Sequence, residues 1–253
     1  MAIPAKNIDE VLSELDLIID SSVAENNYLG IFAYVYRRTT VQIRQAIAEK
    51  QFEDNARMEM MDVAFANLYL TAYQKFTNNL SCSESWQTAF SAKDGKITII
   101  QQIILGMNAH INLDLGIAAA NFSPGIDMAS LKNDFMKVNL VLNSLVNEML
   151  DRVSKVSRLM LVLDWIGENT DEQIINFNMA KAREQAWDFA CYLSGEDNAE
   201  KQSDITKKDH KIAVFGEILK NPPGIILKMA LKLVARFEEK DVKTIINKLR
   251  DDK

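Results

Sequence analysis

The segment LGMNAHINLDLGIAAA, residues 105–120, constrains the fold more than any other part of the chain. At about 100° per residue around a helix axis, its leucine, isoleucine, methionine and alanine side chains point in nearly every direction. A surface helix would instead carry one apolar stripe and one polar face. We therefore predict a buried central helix at about residues 101–121.

Polar side chains interrupt this apolar segment at two i, i+4 spacings. Asn108 and Asn112 fall on one side of the predicted helix, and His110 and Asp114 fall on roughly the opposite side. An unpaired buried polar group costs about 1–3 kcal/mol, so each of these side chains needs a partner. Buried positions that hold polar residues of low helix propensity tend to have a function or to specify packing.

Composition supports an all-α fold. Only 9 glycines and 4 prolines occur in 253 residues, which disfavours a turn-rich β protein. Helical periodicity continues along most of the chain and predicts a globular bundle of about eight to ten helices around the central one. We expect a main helical domain over residues 1–195. Residues 196–253 would add a polar loop and a C-terminal helical extension packed on that domain.

Several functional classes are disfavoured by the sequence. A net charge of −6 argues against a nucleic-acid partner. We find no run of 18 or more uninterrupted apolar residues, so we expect no transmembrane segment. The first residues lack a secretory signal, and two distant cysteines fit a reducing compartment, so we expect a cytoplasmic protein. The common phosphate-loop, dinucleotide, serine-hydrolase and HExxH motifs do not occur.

His110 and Asp114 form the sharpest candidate site. Their spacing places them on adjacent turns, where they can meet as a buried structural hydrogen bond. They can equally form an acid–base or substrate-binding pair in which Asp114 orients the imidazole. A metal site is the third alternative. It would need further carboxylates, because the only other histidine, His210, sits in a cationic surface segment, so we predict no metal and no cofactor.

A second polar face runs along the predicted third helix. Glu59, Asp62, Tyr69 and Tyr73 share one side of that helix by their spacing. This face can be solvated, or it can line a polar cavity that faces His110. Arg38, on the preceding helix, is a candidate counter-ion for buried acids.

The segment 225–237 is strongly apolar and carries Lys228, Lys232 and Arg236 at successive i+4 positions. Such a cationic amphipathic helix can contact a membrane surface or pack on protein with a solvated basic stripe. Because the chain is acidic overall, we expect its apolar face to pack on protein rather than on a membrane.

The central motif resembles the signature of a bacterial family of unassigned function. Further pieces that fit the same family are FAYVYRRTT, FEDNARMEMMDVAFANLYLTAY, Trp86-x-x-Ala89-Phe90 and Ala186-Trp187. The resemblance covers roughly residues 30–195. It implies one coherent domain and draws attention to the same residues, but it implies no reaction.

Two hypotheses of function follow. In the first, the protein binds or processes a small molecule in an internal polar pocket. His110 and Asp114 would be the catalytic pair if the protein is an enzyme, and the ligand-binding wall would comprise Asn108, Asn112, Asp62, Tyr69 and Arg38. In the second, the protein is a non-enzymatic interaction module in which the polar helix only specifies packing. The sequence leaves the oligomeric state open.

Overall fold

The structure is a computed structural model and describes residues 4–122, 128–157 and 179–250. The described residues form helices and no strand, which confirms the predicted all-α class. In chain order the helices are α1 (Ile8–Glu25), α2 (Leu29–Ala48), α3 (Asn55–Thr77), α4 (Glu84–Phe90), α5 (Ile99–Ala109), a π-helical turn (His110–Asp114), α6 (Leu115–Phe122), α7 (Met128–Val156), α8 (Met179–Ser194), α9 (Asn198–Lys220), α10 (Ile225–Phe237) and α11 (Val242–Arg250).

The predicted central helix is continuous through α5, the π-helical turn and α6. By length and composition this helix, Ile99–Phe122, could cross a membrane, but 89% of its most apolar window is buried inside the protein. It packs against α2, α3, α4, α8 and α9. The burial identifies it as the core helix of the described part of the chain.

Close approach to neighbouring helices explains the glycines of the central helix. A Cβ atom on Gly106 would lie 2.3 Å from the ring of Phe32 on α2. A Cβ atom on Gly116 would lie 2.9 Å from the ring of Phe189 and 3.0 Å from a backbone oxygen of α8. Real Cβ atoms do not come so close, so the packing of α2 and α8 depends on these glycines.

Carboxylates from distant helices satisfy backbone N–H groups at three helix starts. Asp134 of α7 accepts from two N–H groups just before α3, at 2.7 and 3.0 Å. Asp209 of α9 accepts from the backbone N–H groups of Glu84 and Ser85 at the start of α4. Glu238 accepts from the first N–H of α5 at 2.8 Å. Negative charge also complements the helix dipole there, so these contacts tie the helices to each other.

The segment from Gly195 to Lys208, whose polarity predicted a loop, is helical from Asn198 onward. Asp197 caps this helix by accepting from the backbone N–H groups of Ala199 and Glu200, both at 2.9 Å. The expectation of a loop was wrong because polarity was taken as a sign of irregular structure. The residues are good helix formers that mostly face solvent, and the buried side chains that anchor α9 come later, at Ile212 and Leu219.

The helix α10 has two apolar sides rather than one. Leu227, Leu231, Val234 and Ala235 are buried against the protein. The opposite side is 57–78% exposed and comprises Ile225, Ile226, Met229, Leu233 and Phe237. The expectation that the apolar residues of this segment pack on protein therefore fails for this second set.

Candidate functional site

The π-helical turn at the middle of the central helix carries the predicted pair. The backbone N–H of Leu115 bonds to the carbonyl of His110, which is the wider π spacing. Within this turn Nδ1 of His110 lies 3.3 Å from Oδ2 of Asp114, and the two residues are 3% and 4% exposed. Single π turns inside α-helices occur frequently at functional sites.

Trp86 of α4 is the second partner of Asp114. Its indole Nε1–H donates to the same carboxylate oxygen, Oδ2, at 2.8 Å. This bond is shorter than the His110 contact, so the tryptophan is the stronger anchor of the carboxylate. Sequence reasoning did not assign Trp86 a role at the site, and its only signal was its place in the family resemblance.

Aromatic rings from three helices enclose the imidazole of His110. Phe65 of α3 stacks on it with ring centroids 3.7 Å apart and an interplanar angle of 9°. Tyr36 of α2 lies edge-on at 4.4 Å. Phe32, Tyr69 and Trp86 complete the enclosure at 6.0–6.1 Å. Phe65 and Tyr36 were also missed, because apolar rings at helical spacing are typical of an ordinary core.

Some polar atoms of this enclosure are buried without a hydrogen-bond partner among the described residues. They include Nε2 of His110, Oη of Tyr69 and Oδ2 of Asp62, together with Oη of Tyr36. Native proteins rarely leave such atoms unpaired, since each costs about 1–3 kcal/mol. Asp62 and Tyr69 lie on the same face of α3 as Phe65, which is the face that meets the imidazole of His110.

Burial sets the protonation of the central pair. It lowers the pKa of His110 well below its usual value, so the imidazole is neutral near pH 7. Burial also raises the pKa of Asp114, whereas the bond from Trp86 opposes that rise. An ionised Asp114 accepts a hydrogen bond from the N–H at Nδ1, so that Nε2 of the neutral imidazole is a hydrogen-bond acceptor. A protonated Asp114 instead donates a hydrogen bond to Nδ1, so that Nε2 carries the proton and is a donor. In both states Nε2 is the atom left to meet a partner.

Asp62 lies at the outer edge of the enclosure and is half-buried. Burial raises its pKa to about 7, an effect that the charge of Arg183 opposes and that of Glu59 reinforces. The guanidinium of Arg183 is itself buried and donates to Asn139 and to a backbone carbonyl, both at 2.7 Å. Burial lowers the pKa of Arg183 to about 10. A carboxyl that titrates near neutrality is suited to acid–base work or ligand binding.

The structure brings together only part of the predicted wall. His110, Asp114 and Tyr69 share the aromatic enclosure, with Asp62 at its edge. Asn108 instead donates to the carbonyl of Ile212 on α9 at 3.0 Å, and Asn112 donates to Asn108 at 3.0 Å. Asn108 thus ties the central helix to α9, and Asn112 holds the amide oxygen of Asn108. Arg38 is half-buried on α2, two residues beyond Tyr36.

A surface cleft lies apart from His110. A cleft of about 710 Å³ lies between α1 and α3 and is lined by Tyr73, but His110 is not part of its lining. In the part of the chain that the structure describes, no three His, Cys, Asp or Glu side chains are grouped closely enough to hold a metal ion. His210 is exposed and lies 2.8 Å from Glu84.

The fold and the site define an all-helical protein built around a buried His–Asp pair in an aromatic enclosure. The chain belongs to a family of unknown function (DUF5995), which matches residues 8–222. The match runs from α1 to just beyond α9 and ends before α10. No curated protein and no solved structure matches the chain.

Proposed function

We propose that this protein binds a small polar molecule inside the aromatic enclosure of His110, and that it does so in the cytoplasm. The observation that carries the proposal is the set of unpartnered polar atoms at His110, Tyr69 and Asp62. A molecule with both a hydrogen-bond donor and an acceptor would satisfy them and repay their cost of burial.

The chemistry of the enclosure limits the ligand. Rings of Phe65 and Tyr36 pack directly against the imidazole, so a ligand at Nε2 would have to be small. Short carboxylic acids, amides and alcohols have the required size and polarity. Asp62 is the least buried member of the set, so we infer that a ligand enters at its end of the enclosure.

A catalytic version of this proposal gives each residue a role. His110 would exchange a proton through Nε2, Asp114 would fix the tautomer, and Trp86 would hold the carboxylate in place. Asp62, with a pKa of about 7, would be a second group able to take up or release a proton at neutral pH.

Ligand binding can be tested with substitutions that remove single orphaned atoms. Native mass spectrometry of gently purified protein would detect a co-purified small molecule. Thermal melts with a panel of short carboxylic acids, amides and alcohols would then identify a class that raises Tm. We expect the shift to vanish in Tyr69→Phe and His110→Gln. The matched controls Tyr192→Phe and His210→Gln change exposed residues and should retain it.

The melts without ligand give an independent readout. Because the hydroxyl of Tyr69 has no partner among the described residues, Tyr69→Phe should leave the free protein equally stable or up to about 2 kcal/mol more stable. The proposal would be wrong if no class of the panel shifts Tm, no molecule co-purifies and Tyr69→Phe is destabilising.

The second candidate function is a non-enzymatic interaction module, which the near-complete burial of the pair favours. His110 and Asp114 are each under 5% exposed, and the Asp114 carboxyl group is held by both His110 and Trp86. Such a network can serve only to fix the positions of α4 and the central helix. In that case Tyr69→Phe, His110→Gln and their controls would respond identically to every compound in the panel.

A further inference from the structure

The exposed side of α10 carries a continuous apolar strip. Ile225, Met229, Leu233 and Phe237 follow one another at i+4 spacing, and Ile226 lies beside them. All five are 57–78% exposed, although other apolar residues of the same helix are buried. Contiguous apolar surface of this kind marks a site of contact with a protein or a membrane.

Basic residues follow one edge of this strip. Lys228, Lys232 and Arg236 also repeat at i+4 and are exposed. They form no ion pair with a carboxylate in the described ranges, so their charges remain available. The positive row stands out in a chain whose net charge is −6.

A basic cleft continues the row on the protein surface. A cavity of about 280 Å³ is lined by Lys96, Lys220, Lys228 and Lys232. Asp94 also lines it and pairs with Lys96 at 3.0 Å. Because Lys228 and Lys232 belong to both features, the apolar strip and the cleft form one surface.

We propose that this surface docks on an anionic lipid bilayer. The apolar strip would enter the boundary between headgroups and acyl chains, and the lysines would meet lipid phosphates, with one headgroup in the cleft. Apolar and cationic residues side by side on one helix are the pattern of helices that lie in the membrane interface. A partner protein could cover this surface only if its own acidic groups were aligned with the lysine row. An anionic bilayer needs no such alignment, because it carries negative charge along its whole surface.

This proposal replaces the sequence-based expectation that the segment packs on protein. That expectation assumed a single apolar face. In the structure, one apolar face of α10 packs on the protein and a second apolar face is exposed. The proposal is independent of the ligand site at His110, and α10 lies outside the residues matched by the family.

Vesicle cosedimentation of the full chain tests the proposal. We expect binding to phosphatidylcholine vesicles that contain phosphatidylserine, little binding to phosphatidylcholine alone, and weaker binding as salt is added. Each lysine near such a surface strengthens binding about fivefold, so Lys228→Glu with Lys232→Glu should weaken it at least about 25-fold. The matched control is Lys207→Glu with Lys211→Glu, which has the same i, i+4 spacing and should bind normally.

Met229→Asp tests the apolar strip. It should weaken vesicle binding at least about tenfold, while Met60→Asp, a similarly exposed methionine on α3, should leave it unchanged. Both positions are on the surface, so circular dichroism should show folded protein in each case.

Three results would overturn the proposal. Equal binding to neutral and anionic vesicles would remove the role of the lysine row. Normal binding by Met229→Asp would remove the role of the strip. Absence of vesicle binding, together with a wild-type dimer that Met229→Asp converts to monomer in sedimentation velocity, would assign the strip to a second copy of the chain.

Discussion

The contact between Trp86 and Asp114 offers the sharpest test of how the site is held together. Two double-mutant cycles separate the two bonds to the carboxylate. One cycle combines Trp86→Phe with Asp114→Ala, and the other combines His110→Phe with Asp114→Ala. Each cycle isolates the coupling free energy between its two residues from the cost of the individual substitutions.

The geometry sets the expected magnitudes. The Trp86 bond is 2.8 Å long and fully buried, and at a pH where Asp114 is ionised, a hydrogen bond to its charge contributes about 1.5–3 kcal/mol. The His110 contact, at 3.3 Å, is longer than the usual 2.7–3.2 Å for an N–H···O bond. We therefore expect coupling of about 1.5–3 kcal/mol for Trp86 with Asp114. For His110 with Asp114 we expect about 0.5–1 kcal/mol.

Urea unfolding followed by far-ultraviolet circular dichroism gives the required free energies. Trp187→Phe is the matched control, since Trp187 is also buried but its ring packs against Phe135. Its effect should add to that of Asp114→Ala within about 0.5 kcal/mol. Additive effects of Trp86→Phe and Asp114→Ala would refute the assignment of Trp86 as the anchor. A larger coupling for His110 than for Trp86 would reverse the order of the two bonds.

Three further predictions test other parts of the fold. Burial raises the pKa of Asp62 from 3.8 in the unfolded chain to about 7, so its contribution to stability is fully present below pH 3.8 and is lost by about pH 7. Asp62→Asn should therefore raise the free energy of unfolding by at most about 4 kcal/mol above pH 7. This gain should disappear in acid, which thermal melts across a range of pH would show. Gly106→Ala should lower the free energy of unfolding in urea by about 1–3 kcal/mol, because the added Cβ would overlap the ring of Phe32. Gly195→Ala should leave that free energy nearly unchanged, and equal effects of the two substitutions would contradict the close packing at Gly106. A chain that ends at Gly195 should lack cooperative thermal unfolding, and a sharp transition in that fragment would show that residues 196–253 are dispensable.

The helical class and the central helix were predictable because both depend on local pattern. Apolar residues all around the segment 105–120 require burial in any compact fold, and the structure places that helix in the core. Asn7 and Asp54 cap α1 and α3 as their positions before apolar periodic segments indicate. The sequence Thr170-Asp171-Glu172-Gln173 also predicts a capping box, but these residues lie outside the described ranges.

The composition of the site was predictable only in part, because its other half comes from elements far away in sequence. Spacing alone identified His110 and Asp114 as neighbours, since both lie on one helix. Trp86 and Tyr36 reach them from α4 and α2, whose orientation depends on tertiary packing. The π-helical turn was equally hidden, because no residue type in HINLD distinguishes it from an ordinary α-helical turn.

The position of α9 links the surface of the protein to its buried pair. Asp209 of α9 holds the start of α4, where Trp86 is the third residue, and Trp86 in turn holds the carboxylate that contacts His110. On the other side of the central helix, Asn108 bonds to the backbone of α9. Both sides of the central helix therefore depend on α9, whose N-terminal part was expected to be a loop. The family match extends through α9 to residue 222, so the region shared with the family includes the helix that positions the site.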